Sequence, residues 1–172
     1  MSTMDAFGKI IAPGALRFER TLPGPIDRVW AYLTESEKRG RWLARGDMEL
    51  FEGGKVELHF LHTDLSPLPA PVPEKFGHMA SGHNFSGKVL RVQPPHLLSF
   101  TWEGQSEVTF ELSQKDDRVH LVLTHRKLGG DSMTNTLPGW HTHLDILGDV
   151  LDGTAPASFW EQYDRLEKEY HK

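Results

Sequence analysis

Three consecutive segments past the middle of the chain alternate apolar and polar residues with a period of two, and this pattern constrains the fold most. In LLSFTWE, Leu98, Phe100 and Trp102 share a face. In SEVTFELSQ, Val108, Phe110 and Leu112 do, and in RVHLVLTHRKL, Val119, Leu121, Leu123 and His125 do. Successive side chains on a strand point to opposite faces, so each segment is predicted to be a strand with one apolar face. The connections between them are short and rich in turn-forming residues, which predicts an antiparallel meander.

A sheet with one apolar face needs a cover. The stretch GWHTHLDILGDVLDG offers one, because Trp140, Leu144, Leu147 and Leu151 recur at i, i+4, i+7 and i+11. That spacing predicts an amphipathic helix, opened by Pro138 and ended by Gly153. A second helical piece follows in PASFWEQYDRLEKEY, with Phe159, Trp160, Tyr163 and Leu166 as its apolar positions. Upstream, ALRFERTL sets Leu16, Phe18 and Arg20 against Arg17, Glu19 and Thr21, the signature of a first strand. After Pro25, Ile26, Val29, Trp30 and Leu33 fall at helical spacing, and ESEKRGRWLA predicts a second short helix. MELF, the turn Glu52-Gly53-Gly54-Lys55 and VELHFLH predict a hairpin with Val56, Leu58, Phe60 and His62 on one face. HNFSGKVLRV adds a strand that stops at Pro94-Pro95.

The expected organisation is an N-terminal arm over residues 1–13 and a single domain over 14–172, a length that suits one core. Within it, residues 63–77, with Pro67, Pro69, Pro71 and Pro73, are expected to be an insertion loop, and residues 154–172 a C-terminal helical extension.

The quoted segments, in order from GPIDRVWAYLTESEKRGRWLA to GWHTHLDILGDVLDG, resemble the activator of heat-shock protein 90 ATPase homologue-like branch of the START-like (SRPBCC) superfamily. The resemblance runs from about Leu16 to Gly153. It implies an α+β helix-grip fold: a curved antiparallel sheet of about 6–7 strands around a long C-terminal helix, with two short helices after strand 1. It also implies a largely apolar cavity between sheet and helix. The superfamily includes lipid and hormone carriers, polyketide cyclases/aromatases and some hydrolases, so the fold does not fix the activity.

Composition narrows the remaining classes. The chain has no cysteine, so disulfides, thiolate nucleophiles and cysteine-based zinc sites are excluded. A formal net charge of -5 without a basic run argues against nucleic acid. No apolar run approaches the roughly 18 to 20 residues that span a bilayer, so no membrane insertion is expected. MSTMDAFGKIIAPG has neither a basic start nor an apolar core, and a cytoplasmic location is expected. With no HExxH, no phosphate loop and no GxSxG, neither metal nor cofactor is expected.

The first expectation is therefore a binding protein for a small hydrophobic or amphipathic ligand. Its candidate cavity residues are Trp30, Phe60, Phe85, Phe100, Trp102, Phe110, Trp140, His143, Leu144 and Leu147, with Trp102 and Trp140 as the leading pair. A cyclase/aromatase- or hydrolase-like enzyme is the alternative, with His62, His125 and His143 as acid–base groups. A co-chaperone-like or regulator-associated interaction protein with an unidentified protein partner is a third reading. His141 and Asp145, at i and i+4, read as a solvated helix edge. Exposed strand edges and the aromatic tail around Phe159 and Trp160 leave room for a homodimer.

Overall fold

The computed structural model describes residues 7–66, 72–79, 82–103 and 105–171. Seven strands form one sheet: β1 (Lys9–Ala12), β2 (Ala15–Pro23), β3 (Lys55–Phe60), β4 (His83–Gln93), β5 (Leu97–Thr101), β6 (Glu107–Lys115) and β7 (Arg118–Arg126). Every neighbouring pair is antiparallel, in the order β1-β2-β7-β6-β5-β4-β3. Helices α1 (Ile26–Thr34) and α2 (Ser36–Arg39) follow β2, and α3 (Gly130–Asp152) and α4 (Phe159–Tyr170) close the chain. β3 to β7 form the meander, and its last strand returns to pair with β2.

The alternation in the sequence sets the register. Phe18 lies opposite Leu123, Leu123 opposite Phe110, and Phe110 opposite Leu98, so one apolar row crosses four strands. A parallel row runs from Leu16 through His125, Val108 and Phe100 to Val89. The β4–β5 register shifts between Val89 and Arg91, and a bulge of this kind bends the strand that carries it. Against the inner face lies α3, whose Trp140, Leu144, Leu147 and Leu151 are all buried as their spacing requires. Gly153 ends α3 at φ 76°, and the N–H of Thr154 reaches back to the Asp149 carbonyl.

Four local expectations are corrected. α3 begins at Gly130, so Pro138 lies inside the helix rather than opening it. The preceding GDSMTNTL is too polar to show a buried stripe, although it is helical. MELF is no strand: its segment meets β3 only through bridges at Arg45–His59 and Met48–Val56, and Leu50 and Phe51 are exposed. Part of the expected arm is ordered as β1 on the sheet edge, while residues 1–6 lie outside the described residues, as do residues 67–71 of the proline-rich loop. The described ends of that loop form short 3-10 turns at His62–Leu65 and Glu74–Met79. Phe159 and Trp160 are each 3% exposed and pack within this chain, so the tail offers no aromatic surface to a second copy.

Candidate cavity

On β4, Val89 is buried, yet His83 and Phe85 on the same inner face remain half-buried. A half-buried aromatic on an inner sheet face marks where the packed core gives way to open space. There the structure holds a cavity of about 400 Å³, a size that suits a small ligand. The sheet contributes Phe60 and Phe85, with Trp102 just past β5; α3 contributes Gly139, Trp140 and His143; α4 contributes Phe159, Trp160 and Tyr163. Phe76, from the end of the proline-rich loop, stacks on Trp160 with ring centroids 4.9 Å apart. Aromatic rings thus line both the sheet side and the α4 side.

Of the residues named from the sequence, Phe60, Phe85, Trp102, Trp140, His143 and His62 meet at this cavity. Trp102 and Trp140 touch, with centroids 4.9 Å apart. Trp30, Phe100, Phe110, Leu144 and Leu147 do not line it. The last four are buried in the packed core, and Trp30 lies partly buried against it. The sequence reading missed Phe76, His83, Glu103, Phe159, Trp160 and Tyr163 as lining residues. For α4 the signal was present as an apolar stripe, but its destination was misassigned.

The three candidate histidines have different surroundings. His125 has both ring nitrogens engaged: Trp140 Nε1–H donates to its Nδ1 (2.9 Å), and its Nε2 lies 3.0 Å from Ser106 Oγ. Since Nδ1 accepts, Nε2 carries the proton and donates to Ser106, whose hydroxyl donates to the Glu103 carbonyl. Burial pushes the His125 pKa down to about 4. His125 therefore pins Trp140 and the Glu103–Ser106 turn instead of lining the cavity. Trp140→Phe keeps an aromatic ring but strands that buried Nδ1. We expect the variant to lose about 1–3 kcal/mol of stability in urea unfolding. A loss below about 0.5 kcal/mol would count against this pin.

His143 lines the cavity, and its Nδ1–H donates to the Trp42 carbonyl (2.8 Å), because a carbonyl can only accept. Its Nε2 consequently holds a lone pair. Burial lowers its pKa to about 4, against the opposing pull of that hydrogen bond. His62 lies beside it, ring centroids 5.6 Å apart, and burial together with the neighbouring His143 and His83 lowers its pKa to about 3. The cavity floor therefore carries two uncharged imidazoles at neutral pH. His62 Nδ1 and Trp160 Nε1 are buried and have no hydrogen-bond partner. At the mouth, His83 bonds Glu103 (2.7 Å), and Lys75 pairs with Glu167.

Of the expected solvated edge, His141 is buried, while Asp145 is half-buried. His141 is 4% exposed, lies 3.5 Å from the Asp145 carboxylate, and meets the Tyr170 hydroxyl at 2.8 Å. Asp145 also accepts from Gln162 (2.8 Å) and pairs with Arg20 (3.5 Å). Burial raises its pKa, Arg20 opposing. The pair ties α3 to α4 and to β2, behind the cavity. Among the described residues, no group of three or more His, Asp or Glu is placed to hold a metal ion, and no helix is long and apolar enough to cross a membrane.

Known proteins place this architecture. A protein encoded by gene BPP1335 of Bordetella parapertussis, solved by solution NMR, is 38% identical to this chain. The match covers 100% of this chain and 94% of that one, with a TM-score of 0.79. CalU16 of Micromonospora echinospora (23% identity, 91% and 86% covered, TM-score 0.65) and MLL2253 of Mesorhizobium loti (22% identity, 81% and 98% covered, TM-score 0.63) share the fold. No curated protein matches the chain. Residues 23–152 match the family described as activator of Hsp90 ATPase homolog 1-like protein. This segment carries α1 to α3 and five of the seven strands, β3 to β7, and the chain belongs to that family, within the START-like (SRPBCC) superfamily.

Proposed function

We propose that this protein binds a small, largely apolar molecule in the cavity between the sheet, α3 and α4. The observation that carries the reading is the pair of aromatic walls, Phe60, Phe85, Trp102 and Trp140 on one side and Phe76, Phe159 and Trp160 on the other, around about 400 Å³. Aromatic walls offer dispersion and stacking to a ring system and exclude water from it. Trp102, Trp140 and Trp160 all line the space, so occupancy should change the intrinsic tryptophan fluorescence. Titration with apolar arenes and with fatty acids, followed by fluorescence and thermal shift, is expected to give saturable quenching and a higher Tm with at least one arene. Absence of both signals across the series would overturn the reading.

A second reading, a cyclase/aromatase- or hydrolase-like enzyme, draws support from one observation. Two uncharged imidazoles, His62 and His143, line the same cavity, and a neutral imidazole is able to act as a general base. His125 has no part in it, because both of its nitrogens are already engaged. A third reading, an interaction module with a protein partner, finds no comparable observation among the described residues.

A further inference from the structure

The polar atoms of the cavity restrict its occupant more narrowly than its apolar walls do. His143 presents a lone pair at Nε2, because its Nδ1–H is held by the Trp42 carbonyl. Trp160 brings a buried N–H with no acceptor, and His62 a buried Nδ1 with no partner. These rings adjoin one another: His62 lies 5.6 Å from His143 and 5.0 Å from Trp160, centroid to centroid. The corner therefore contains both a hydrogen-bond acceptor and a hydrogen-bond donor. A carboxylate or a ketone only accepts, and would leave the histidine lone pair unmatched. A hydroxyl donates and accepts at once.

Charge points the same way. Both imidazoles are uncharged at neutral pH, so the corner has no cation to balance an anion. The cation Lys75, at the mouth, is paired with Glu167. His83 is bonded to Glu103, which brings a second carboxylate to the rim. An ionised ligand would lose its hydration without an ion-pair partner, a cost of several kcal/mol for a buried charge.

We propose that the occupant is an uncharged, flat aromatic molecule bearing a hydroxyl group, seated with that hydroxyl at the His62–His143–Trp160 corner, and that the site rejects the corresponding carboxylate. This rests on the binding reading above and specifies its ligand class. Trp160 belongs to α4, beyond the 23–152 segment that defines the family, so part of this selectivity is supplied from outside the family core.

Three probes sharing one ring system test the proposal: 2-naphthol, naphthalene and 2-naphthoate, titrated at pH 7.5 by tryptophan fluorescence and by calorimetry. 2-Naphthol is neutral at that pH. It is expected to bind about tenfold or more tightly than naphthalene, because a site with unmatched polar groups discriminates against the analogue that leaves them so. 2-Naphthoate is expected to bind more weakly than 2-naphthol by at least the same factor. Trp160→Phe and, separately, His62→Phe should bring the ratio of 2-naphthol to naphthalene affinity down toward one, whatever each does to naphthalene binding itself, and a ratio unchanged in both variants would overturn the assignment of the hydroxyl to this corner. Equal binding of naphthalene and 2-naphthol would overturn the hydroxyl assignment and leave the general binding reading standing. Tighter binding of 2-naphthoate would overturn it too. Failure of all three probes while another arene or a fatty acid binds would overturn the hydroxyl assignment alone, and failure of that whole series would remove the binding reading along with it.

Discussion

Lowering the pH from 7 to 5 is expected to cost the fold about 2 kcal/mol for each of His62, His125 and His143. Burial is the first cause of all three depressions, taking pKa values from an ordinary 6.5 to about 3, 4 and 4 respectively. A base whose pKa is lower in the folded state binds protons more readily when unfolded. Its contribution to stability is therefore complete above pH 6.5 and is lost as the pH falls below it, until the folded histidines themselves titrate near 4 and 3. The carboxyls of Asp145 and Asp149 act in the opposite sense, since burial raises their pKa values and the folded state holds those protons more tightly. A variant separates the two contributions. His143→Gln still offers an N–H to the Trp42 carbonyl but cannot titrate. In urea unfolding, the stability gap between parent and variant should close by about 2 kcal/mol between pH 7 and pH 5. A gap that stays constant over that range would show that His143 is not held neutral by burial.

These histidines also show where sequence stops informing structure. Their position on apolar faces could be read directly, because His62 and His125 continue the alternation of Val56–Leu58–Phe60 and Val119–Leu121–Leu123. Parity on a strand says which face a side chain takes and nothing about its distance along that face. His125 therefore fell into the packed row between Leu16 and Val108, while His62 reached the cavity. The meander itself was legible because an apolar residue recurs at every second position: Leu98 and Phe100 in β5, Val108, Phe110 and Leu112 in β6, and Val119, Leu121 and Leu123 in β7. The first two turns of α3 were not, since GGDSMTNTL has no apolar stripe and Pro138 suggests a start. Phe159 and Trp160 were recognised as one helix face, but only the chain reversal after Gly153 brings that face onto α3 and the cavity. His141 and Asp145 were correctly paired as helix neighbours. Their partners Tyr170, Gln162 and Arg20 come from two other elements, which the helix spacing could not show.

The residue least visible in the sequence carries the second large expectation. Arg39→Ala should destabilise the protein by about 4 kcal/mol in guanidinium unfolding, a loss in the range expected for breaking a buried hydrogen-bond network and leaving a cavity in its place. Arg39 is 1% exposed although it ends a four-residue helix rich in charge. Its guanidinium faces carbonyl oxygens: Nε donates to Ala44 (3.1 Å), Nη1 to Leu33 (3.3 Å) and Thr34 (3.2 Å), and Nη2 to Gly46. It thereby closes the end of α1 onto the loop that leads to β3. Gly46 is fitted to its place by backbone geometry as well. It has φ +130°, and a Cβ there would sit 1.9 Å from the Glu57 carbonyl oxygen. Burial lowers the Arg39 pKa to about 10, partly offset by Asp47, so the side chain stays charged at neutral pH. Removing it leaves four carbonyls without a donor and a void beside Trp42 and Leu43, which are themselves fully buried. Arg39→Lys keeps the charge but cannot spread donors over four separate oxygens, so it should recover no more than about half of the loss. A variant Arg39→Ala within about 1 kcal/mol of the parent would mean that water replaces the guanidinium at little cost. The junction between α1, α2 and the Gly46 loop would then be held by Trp42 and its neighbours alone. If the loss is as large as expected, the same substitution should also weaken arene binding, because the Trp42 carbonyl that orients His143 lies within this junction.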